Sequence, residues 1–146
     1  IRREMTSPTA IVESAAVDLE RERVQIIADA APKTWSLDGP RMQQVLANLI
    51  DNALQATADQ PDRAVEVEIT QRQGALEFTV RDHGPGVPAD QREQIFAPFH
   101  TTRTRGTGLG LAVARRIVEL HAGTITITDT PGGGAVFTVR ISQELA

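Results

Sequence analysis

Two asparagines, Asn48 and Asn52, are the first residues in the sequence whose type and spacing suggest chemistry. They are four positions apart in a segment with a helical apolar period, so both amides should lie on one face of a helix. The amide oxygen of Asn52 would suit Mg²⁺, a hard cation that keeps several waters and binds largely through phosphates. Asparagine in a helix interior costs about half a kcal/mol relative to alanine. Taken alone, the pair is better explained by two solvent-facing polar side chains.

A carboxylate followed by two alternate glycines forms a second group: Asp82, Gly84 and Gly86. Glycine allows the backbone to approach a ligand closely. A carboxylate accepts hydrogen bonds and therefore suits an exocyclic amino group such as that of adenine. A glycine-rich turn in which the aspartate acts as a local cap is the alternative.

The strongest local signal is the run GTGLGL at residues 106–111, which leads directly into a helical pattern. Backbone N–H groups at a helix N-terminus bind anions, and threonines and arginines at 101–105 would add hydroxyl and guanidinium groups beside a polyphosphate. The run is not a P-loop, because no Gly-Lys-Ser/Thr follows, and Leu111 replaces the last glycine of a dinucleotide fingerprint. A flexible loop before a closely packed helix is the alternative.

Three helices are predicted to carry these groups. Ser7 and Pro8 predict an N-cap and first residue of one helix, and Asp38 predicts the cap of a second, which contains both asparagines. The buried stripe of that second helix is predicted to be Met42, Val45, Leu46, Leu49, Ile50 and Ala53. The third helix follows the glycine run and is predicted to end at Gly123 as a C′ glycine, with His121 as a cap that compensates the helix dipole.

Alternating apolar residues predict the strands. Two hairpins are expected, one joining 65–69 to 76–80 through residues 73–74, the other joining 124–128 to 135–141 around residues 132–134. Short strands are expected at 24–28 and 34–37, and a short helix near 90–96. This order predicts an α/β two-layer sandwich, with one sheet and the helices on one face.

Composition narrows the possible functions. The length of 146 residues fits one domain, and no apolar run approaches the roughly 20 residues that span a bilayer. No signal peptide is visible, and the first residue, Ile1, suggests a piece of a longer protein. The absence of cysteine excludes disulfides, and the three histidines lack the spacing of a zinc site. A net charge of −4 and few aromatic residues argue against nucleic-acid binding.

In this order, the three groups resemble the motifs of the ATP-binding domain of histidine kinases. Residues 48–53 (NLIDNA) match the N box, 82–86 (DHGPG) the G1 box, 96–99 (FAPF) the F box and 106–111 (GTGLGL) the G2 box. Asp38 and the segment 134–137 (GAVF) also stand at family positions. The resemblance extends from about residue 10 to nearly the end of the chain.

The resemblance implies a Bergerat fold: an α+β two-layer sandwich with a mixed, mostly antiparallel sheet and three helices on one face, which binds ATP and Mg²⁺ under a short lid at 97–107. The whole chain, 1–146, would be this one domain, with 1–9 as a tail or the end of an upstream linker. Asn52 would hold Mg²⁺, Asp82 would bind the adenine amino group, and Gly84 and Gly86 would line its pocket. The remaining ATP-binding residues implied are Asn48, Thr102, Arg103, Gly106, Thr107, Gly108, Leu109 and Gly110. Phe96 and Phe99 are expected to anchor the lid by packing.

Asn48 is also the implied catalytic residue, and its type separates members of the superfamily. Related ATPases of the gyrase, Hsp90 and MutL types tend to have glutamate there, which can act as a general base. Asparagine cannot, so water attack should be poorly supported, whereas phosphoryl transfer to an imidazole needs mainly positioning and charge neutralisation. Three departures from the family are Gln55 in place of a basic residue, with Arg103 as the expected substitute, His100 in place of an aromatic, and Ala135 in place of Thr or Ser.

The predicted function is the catalytic ATP-binding domain of a two-component sensor histidine kinase, in the cytoplasm, which transfers the γ-phosphoryl group of Mg-ATP to a histidine on a separate dimerisation domain. His83, His100 and His121 are not followed by an acidic residue, as the family acceptor usually is, so the acceptor is expected upstream of Ile1. The expected partners are that dimerisation domain and a response regulator, with no nucleic acid and no membrane contact. An ATP-hydrolysing member of the superfamily and a pseudokinase interaction module are the alternatives.

Overall fold

A computed structural model describes residues 1–97, 110–129 and 133–143. The predictions for the lid and for much of the G2 box lie outside these residues; they concern Phe99, His100, Thr102, Arg103, Gly106, Thr107, Gly108 and Leu109. Asn48, Asn52, Asp82, Gly84, Gly86 and Gly110 lie within them.

Seven strands and three α-helices follow one another along the described chain. They are β1 (Glu4–Thr6), α1 (Pro8–Ala16), β2 (Val24–Ala30), β3 (Trp35–Leu37), α2 (Gly39–Ala56), β4 (Val65–Arg72), β5 (Ala75–Arg81), α3 (Gly110–Leu120), β6 (Thr124–Asp129) and β7 (Ala135–Ser142). Short 3₁₀ helices occur at Arg21–Arg23, Ala89–Gln91 and Gln94–Phe96. The last two replace the single short helix predicted near 90–96.

The main sheet has the order β2-β4-β5-β7-β6, and the predicted mixed, mostly antiparallel sheet is confirmed. Only β2 and β4 are parallel among its described pairs, so the chain must cross over between them, and α2 lies in that connection. The inward side chains alternate as predicted: Val65, Val67, Ile69, Leu76, Phe78, Val80, Phe137, Val139 and Ile141 are all buried. The three helices pack against this face and complete the core.

The predicted helix starts and the first hairpin are confirmed. The Ser7 hydroxyl accepts a hydrogen bond from the Ala10 N–H at 3.1 Å, and the Asp38 carboxylate accepts one from the Arg41 N–H at 3.2 Å. The six residues predicted as the buried stripe of α2 are each at most 1% exposed. Residues 73 and 74 have φ values of 54° and 75°, as a two-residue hairpin turn requires.

The end of α3 differs from the prediction of a C′ glycine at Gly123. Ala122 takes the left-handed conformation, with φ of 56°, and the Gly123 N–H donates to the Val118 carbonyl 3.0 Å away. Gly123 is thus one residue further from the helix than predicted. Glycine is needed there for space, because a Cβ would lie 2.5 Å from the Arg140 carbonyl oxygen.

His121 caps the end of α3 as predicted, but as a neutral ring that carries no charge to compensate the helix dipole. Its side chain is buried, and Nε2 accepts a hydrogen bond from the Asp38 N–H at 3.0 Å, so that nitrogen carries no proton. Nδ1 therefore carries the proton and donates it to the Ile117 carbonyl at 2.9 Å. Burial lowers the pKa of His121 below its ordinary value. The neutral ring links the end of α3 to the start of α2.

The predicted tail at residues 1–9 is in large part built into the fold. β1 pairs with β3 in a separate two-stranded antiparallel sheet, and α1 begins at Pro8. Arg3 fastens this strand, because its guanidinium donates to the Ser36 carbonyl at 2.9 Å and to the His121 carbonyl at 3.3 Å. None of the three residues of β1 is buried, so no apolar alternation marks this strand in the sequence.

Candidate functional site

A cavity of about 290 Å³ lies where the end of α2 faces the segment that follows β5. Asn52 and Gln55 contribute to it from α2, Asp82 and Gly86 from that segment, and Phe137 from β7. The rest of the described lining is mostly apolar, namely Ala56, Pro85, Val87, Pro88, Gln91, Ile95, Leu111 and Ala135. Residues predicted to share a ligand thus meet in one cavity although they are far apart in the sequence.

Asp82 is the anionic group of the cavity, and it is 2% exposed. Its Oδ1 accepts hydrogen bonds from the N–H of Gly84 at 3.0 Å and of Ala135 at 2.9 Å. The Asp82 N–H in turn donates to the Ala135 carbonyl at 3.0 Å, so main chain and side chain are fixed against the same neighbour. A carboxylate held in this way among apolar walls can accept a hydrogen bond from an amino group on a flat heterocycle.

The two glycines after Asp82 have different positions. Gly86, with φ of 79°, lines the cavity as predicted. Gly84 is not among the described residues that line the cavity, so its predicted contact with the base stays a prediction. It packs against the last residue of α2, where a Cβ would overlap the Ala56 carbonyl oxygen. The glycine is needed for close packing of the turn on the helix.

Gly134 allows the start of β7 to approach the backbone of Asp82 closely. Its φ is 105°, and a Cβ there would overlap the Asp82 carbonyl oxygen. A side chain at this position would therefore separate Ala135 from the carboxylate that it holds.

Asn52 has an amide oxygen that could hold a metal ion. It lines the cavity from α2, and the neighbouring Gln55 side chain donates to Asp51 at 2.8 Å. Within the described ranges, no three His, Cys, Asp or Glu residues cluster in a way that could hold a metal ion. A single amide oxygen nevertheless fits Mg²⁺, which commonly takes one or two protein ligands and completes its shell with phosphates and water.

Asn48, predicted as a catalytic and ATP-binding residue, does not line this cavity. Its amide Nδ2 donates to the Gly110 carbonyl at 3.0 Å, and Gly110 is the first residue of α3. Asn48 therefore ties α2 to the start of α3. Its described contact holds the element that follows the glycine run.

Phe96 does not line the cavity but packs against a residue that does, as expected of a packing residue. It is buried and packs edge-to-face on Phe137, with ring centroids 6.4 Å apart. The Arg115 guanidinium lies over the same ring, 5.1 Å from its centroid, and Arg115 also bonds Glu93 at 2.7 Å. These contacts join α3 to the 3₁₀ helix whose Ile95 lines the cavity.

Sequence reasoning missed two residues that hold the cavity walls. Arg92 donates from Nε to the Val87 carbonyl at 3.1 Å and from Nη2 to the Asp129 carboxylate at 2.7 Å, which anchors the Val87 wall to β6. Thr57, at the end of α2, is fully buried and bonds the backbone of His83 at 3.2 Å. A surface arginine and a threonine after a helix are common, so neither carries a signal in one sequence.

Comparison with known proteins agrees with the fold. Residues 37–145 match the family described as "Histidine kinase-, DNA gyrase B-, and HSP90-like ATPase", which is about three quarters of the chain. The chain belongs to this family. It is an ATP-binding catalytic domain of the sensor histidine kinase type.

The curated relatives are named as sensor proteins or sensor histidine kinases, and the structural neighbour ThkA is named as a histidine kinase. The C4-dicarboxylate transport sensor protein DctB of Rhizobium meliloti (strain 1021) is 43% identical over 103 residues, which cover 70% of this chain and 16% of DctB. The catalytic domain of the histidine kinase ThkA superposes with a TM-score of 0.84 at 27% identity, covering 98% of this chain and 97% of that one. Full-length ShkA in complex with AMPPNP superposes with a TM-score of 0.79 at 25% identity, covering 99% of this chain and 32% of ShkA.

The chain thus corresponds to a small part of its curated relative. Among the described residues, none of the helices has both the length and the apolar character needed to cross a bilayer.

Proposed function

We propose that this domain binds ATP with Mg²⁺ in the cavity and presents the γ-phosphoryl group to a histidine on a dimerisation domain of its parent kinase. The observation that carries the proposal is that Asn52 and Asp82 line the same cavity. Asp82, held through Oδ1, accepts a hydrogen bond from the adenine amino group, and the apolar walls take the faces of the base. The AMPPNP named for full-length ShkA supports a nucleotide in this fold.

The phosphate side of the proposed site lies toward α3. Asn52 would hold Mg²⁺ through its amide oxygen, and the metal would supply neutralisation of phosphate charge. The phosphate contacts predicted for Thr102, Arg103 and residues 106–110 remain part of the proposal. Asn48 contributes by holding Gly110, so we assign it a positioning role in place of direct catalysis.

The histidine that receives the phosphoryl group is proposed to lie on another domain. His121 is buried, and the His83 ring is engaged by Arg63, whose Nη2 lies 3.0 Å from Nδ1. The partners proposed for the parent protein are therefore an upstream dimerisation and phosphotransfer domain and a response regulator. A location in the cytoplasm follows from the proposed use of ATP.

Hydrolysis of ATP by water is less well supported by the same cavity. Asp82 is the one ionisable side chain among the described residues that line it, and the proposal places Asp82 at the base, away from the phosphates. Asn48 has no proton-accepting group of suitable basicity. Activation of water therefore has no candidate base among these lining residues.

Titration calorimetry with Mg-ATP tests the proposal on this fragment and on Asp82→Asn. Asparagine keeps the oxygen that accepts from Gly84 and Ala135, so we expect the fold to be retained while affinity falls at least about tenfold. Asp59→Asn, at an exposed position after α2, is the matched control and should bind as the parent does. Absence of binding by the parent, or equal binding by Asp82→Asn, would contradict the proposal.

Incubation with ATP labelled on the γ-phosphate separates kinase from ATPase. We expect the fragment to bind nucleotide yet retain no phosphohistidine, because its acceptor lies elsewhere. Label that stays on the fragment and is released only by acid, as phosphohistidine is, would contradict this expectation. Steady Mg²⁺-dependent release of phosphate would favour the ATPase.

A further inference from the structure

Thr57 joins the end of α2 to the turn that carries Asp82. Its side chain is wholly buried, and its hydroxyl donates to the Ala53 carbonyl at 2.8 Å. The same oxygen accepts a hydrogen bond from the His83 N–H at 3.2 Å. The hydroxyl group thus bridges two elements, using its one hydrogen for the helix and a lone pair for the turn.

The bond to His83 is the one that calls for explanation. A threonine in a helix often donates to the carbonyl four residues earlier, so the bond to Ala53 is ordinary. The bond to His83 joins residues 26 positions apart. It fixes the main chain at the residue directly after Asp82, and therefore restrains the direction in which the carboxylate leaves the backbone.

The next residue, Gly84, reinforces the same junction. Its N–H donates to Oδ1 of Asp82 at 3.0 Å, and its Cα packs against the Ala56 carbonyl without room for a Cβ. Two consecutive N–H groups of the turn are therefore hydrogen-bonded: that of His83 to the Thr57 hydroxyl and that of Gly84 to the Asp82 carboxylate. A displacement of the turn would disturb both bonds together.

We infer that Thr57 is a positioning residue for recognition of the base. It holds the Asp82 carboxylate at a fixed place relative to α2, the helix that also contributes Asn52 to the cavity. Thr57 does not line the cavity, so it acts through His83 and Asp82 and is not itself a catalytic residue. The inference rests on the proposed function, because it takes the base of ATP to lie against Asp82.

Base selectivity provides a readout that a merely structural role would not change. Inosine triphosphate has a carbonyl oxygen where ATP has the amino group that Asp82 would accept from, so the ratio of the two affinities reports how well the carboxylate is placed. Thr57→Val keeps the shape of the side chain and removes the hydroxyl. We expect the ATP-to-ITP affinity ratio, measured by calorimetry with Mg²⁺, to fall by about tenfold in Thr57→Val and to recover in Thr57→Ser.

Ile141→Val is the control for lost stability alone. Ile141 is buried near the end of β7 opposite to Ala135, and the substitution removes one methylene from the core. We expect its affinity ratio to equal that of the parent. A Thr57→Val protein whose ratio is unchanged, or whose affinity for both nucleotides falls equally, would overturn the inference.

Two further outcomes are separable from these. If Thr57→Val does not fold, Thr57→Ser and Thr57→Ala differ only in the hydroxyl, and their affinity ratios give the same comparison. If the parent fragment binds no ATP, the proposed function itself fails, and this is seen before any Thr57 variant is measured.

Discussion

The ring of His121 accepts a 3.0 Å hydrogen bond from the backbone N–H of Asp38, and this bond joins the end of α3 to the start of α2. A proton on Nε2 would destroy it. The folded protein therefore binds that proton more weakly than the unfolded chain does, and burial, the largest cause, lowers the pKa of His121 below its ordinary 6.5.

This relationship predicts how stability depends on pH. A lowered folded pKa means that the contribution of His121 is complete above about pH 6.5 and is lost as the pH falls from there toward the folded value. We expect the free energy of unfolding in urea to drop between pH 7.5 and 5.5 in the parent and to drop less in His121→Gln. Subtracting the pH-dependent change in His121→Gln from that in the parent removes the contributions of the other two histidines.

Asp38 does not interfere in that pH window. Burial alone would raise the pKa of its carboxyl, but hydrogen bonds from the backbone N–H groups of Arg2 and Arg41 outweigh it and leave the pKa below its ordinary value. Its contribution to stability is therefore lost only under more acid conditions, near and below pH 4.

Identical pH slopes of the unfolding free energy for the parent and His121→Gln would show that the His121 ring is not buried in its neutral form.

Asn48→Asp tests the link between α2 and the start of α3. The amide that donates to the Gly110 carbonyl would become a carboxylate facing that carbonyl, so we expect a loss of about 1–3 kcal/mol in stability at neutral pH. Binding of Mg-ATP should weaken as well, because Gly110 follows the predicted phosphate-binding run. Unfolding in urea and calorimetry measure the two effects.

Asn48→Ala separates lost bonding from repulsion. It removes the hydrogen bond without placing two acceptors together, and should cost less than Asn48→Asp. If both variants keep the stability of the parent, the bond to Gly110 contributes nothing and a direct role at the phosphates is favoured.

Gly84→Ala should separate the turn from α2. The added methyl group would overlap the Ala56 carbonyl, which is main chain and cannot move away independently of α2. We expect a stability loss of about 1–3 kcal/mol, typical of overpacking, and weaker nucleotide binding because Asp82 would shift.

Gly39→Ala is the matched control, because it makes the same change at the first residue of α2. The nearest atom to a Cβ there is the Thr6 hydroxyl oxygen, 3.9 Å away. It should be neutral or stabilising by up to about 1 kcal/mol, since alanine favours a helix more than glycine does. Equal melting temperatures for Gly84→Ala and the parent would contradict the close packing.

Arg115→Lys tests the stacked guanidinium. Lysine keeps the positive charge beside Glu93 but lacks the planar group that covers the Phe96 ring. We expect a loss of about 0.5–1 kcal/mol. The control is Arg116→Lys at the exposed neighbouring position of α3, which should leave the thermal midpoint unchanged. The same shift in both variants would mean that the stacking does not contribute.

The regular elements could be predicted because each follows a local period. The apolar stripe of α2 repeats every three or four residues, and the strands on either side of Gln73 and Gly74 alternate. The convergence of Asn52, Asp82 and Gly86 was implied by the family resemblance, and all three residues line the cavity.

The details that were missed depend on neighbours far away in the chain. Gly123 is set by the approach of Arg140, and the neutral state of His121 by the N–H of Asp38. The bond from Thr57 to His83 likewise joins elements whose proximity no local pattern encodes. Asn48 was singled out by its residue type, but its partner at Gly110 becomes visible only once the helices are packed.

The two donors that hold Oδ1 of Asp82 are main-chain N–H groups, and this has an evolutionary consequence. Peptide N–H groups remain when side chains are substituted, so the Asp82 carboxylate can keep its orientation while the surrounding sequence changes. A relative that keeps the aspartate and the same backbone path therefore keeps the same orientation of the carboxylate. That is consistent with a chain that shares only 27% of its residues with ThkA and still follows the same trace.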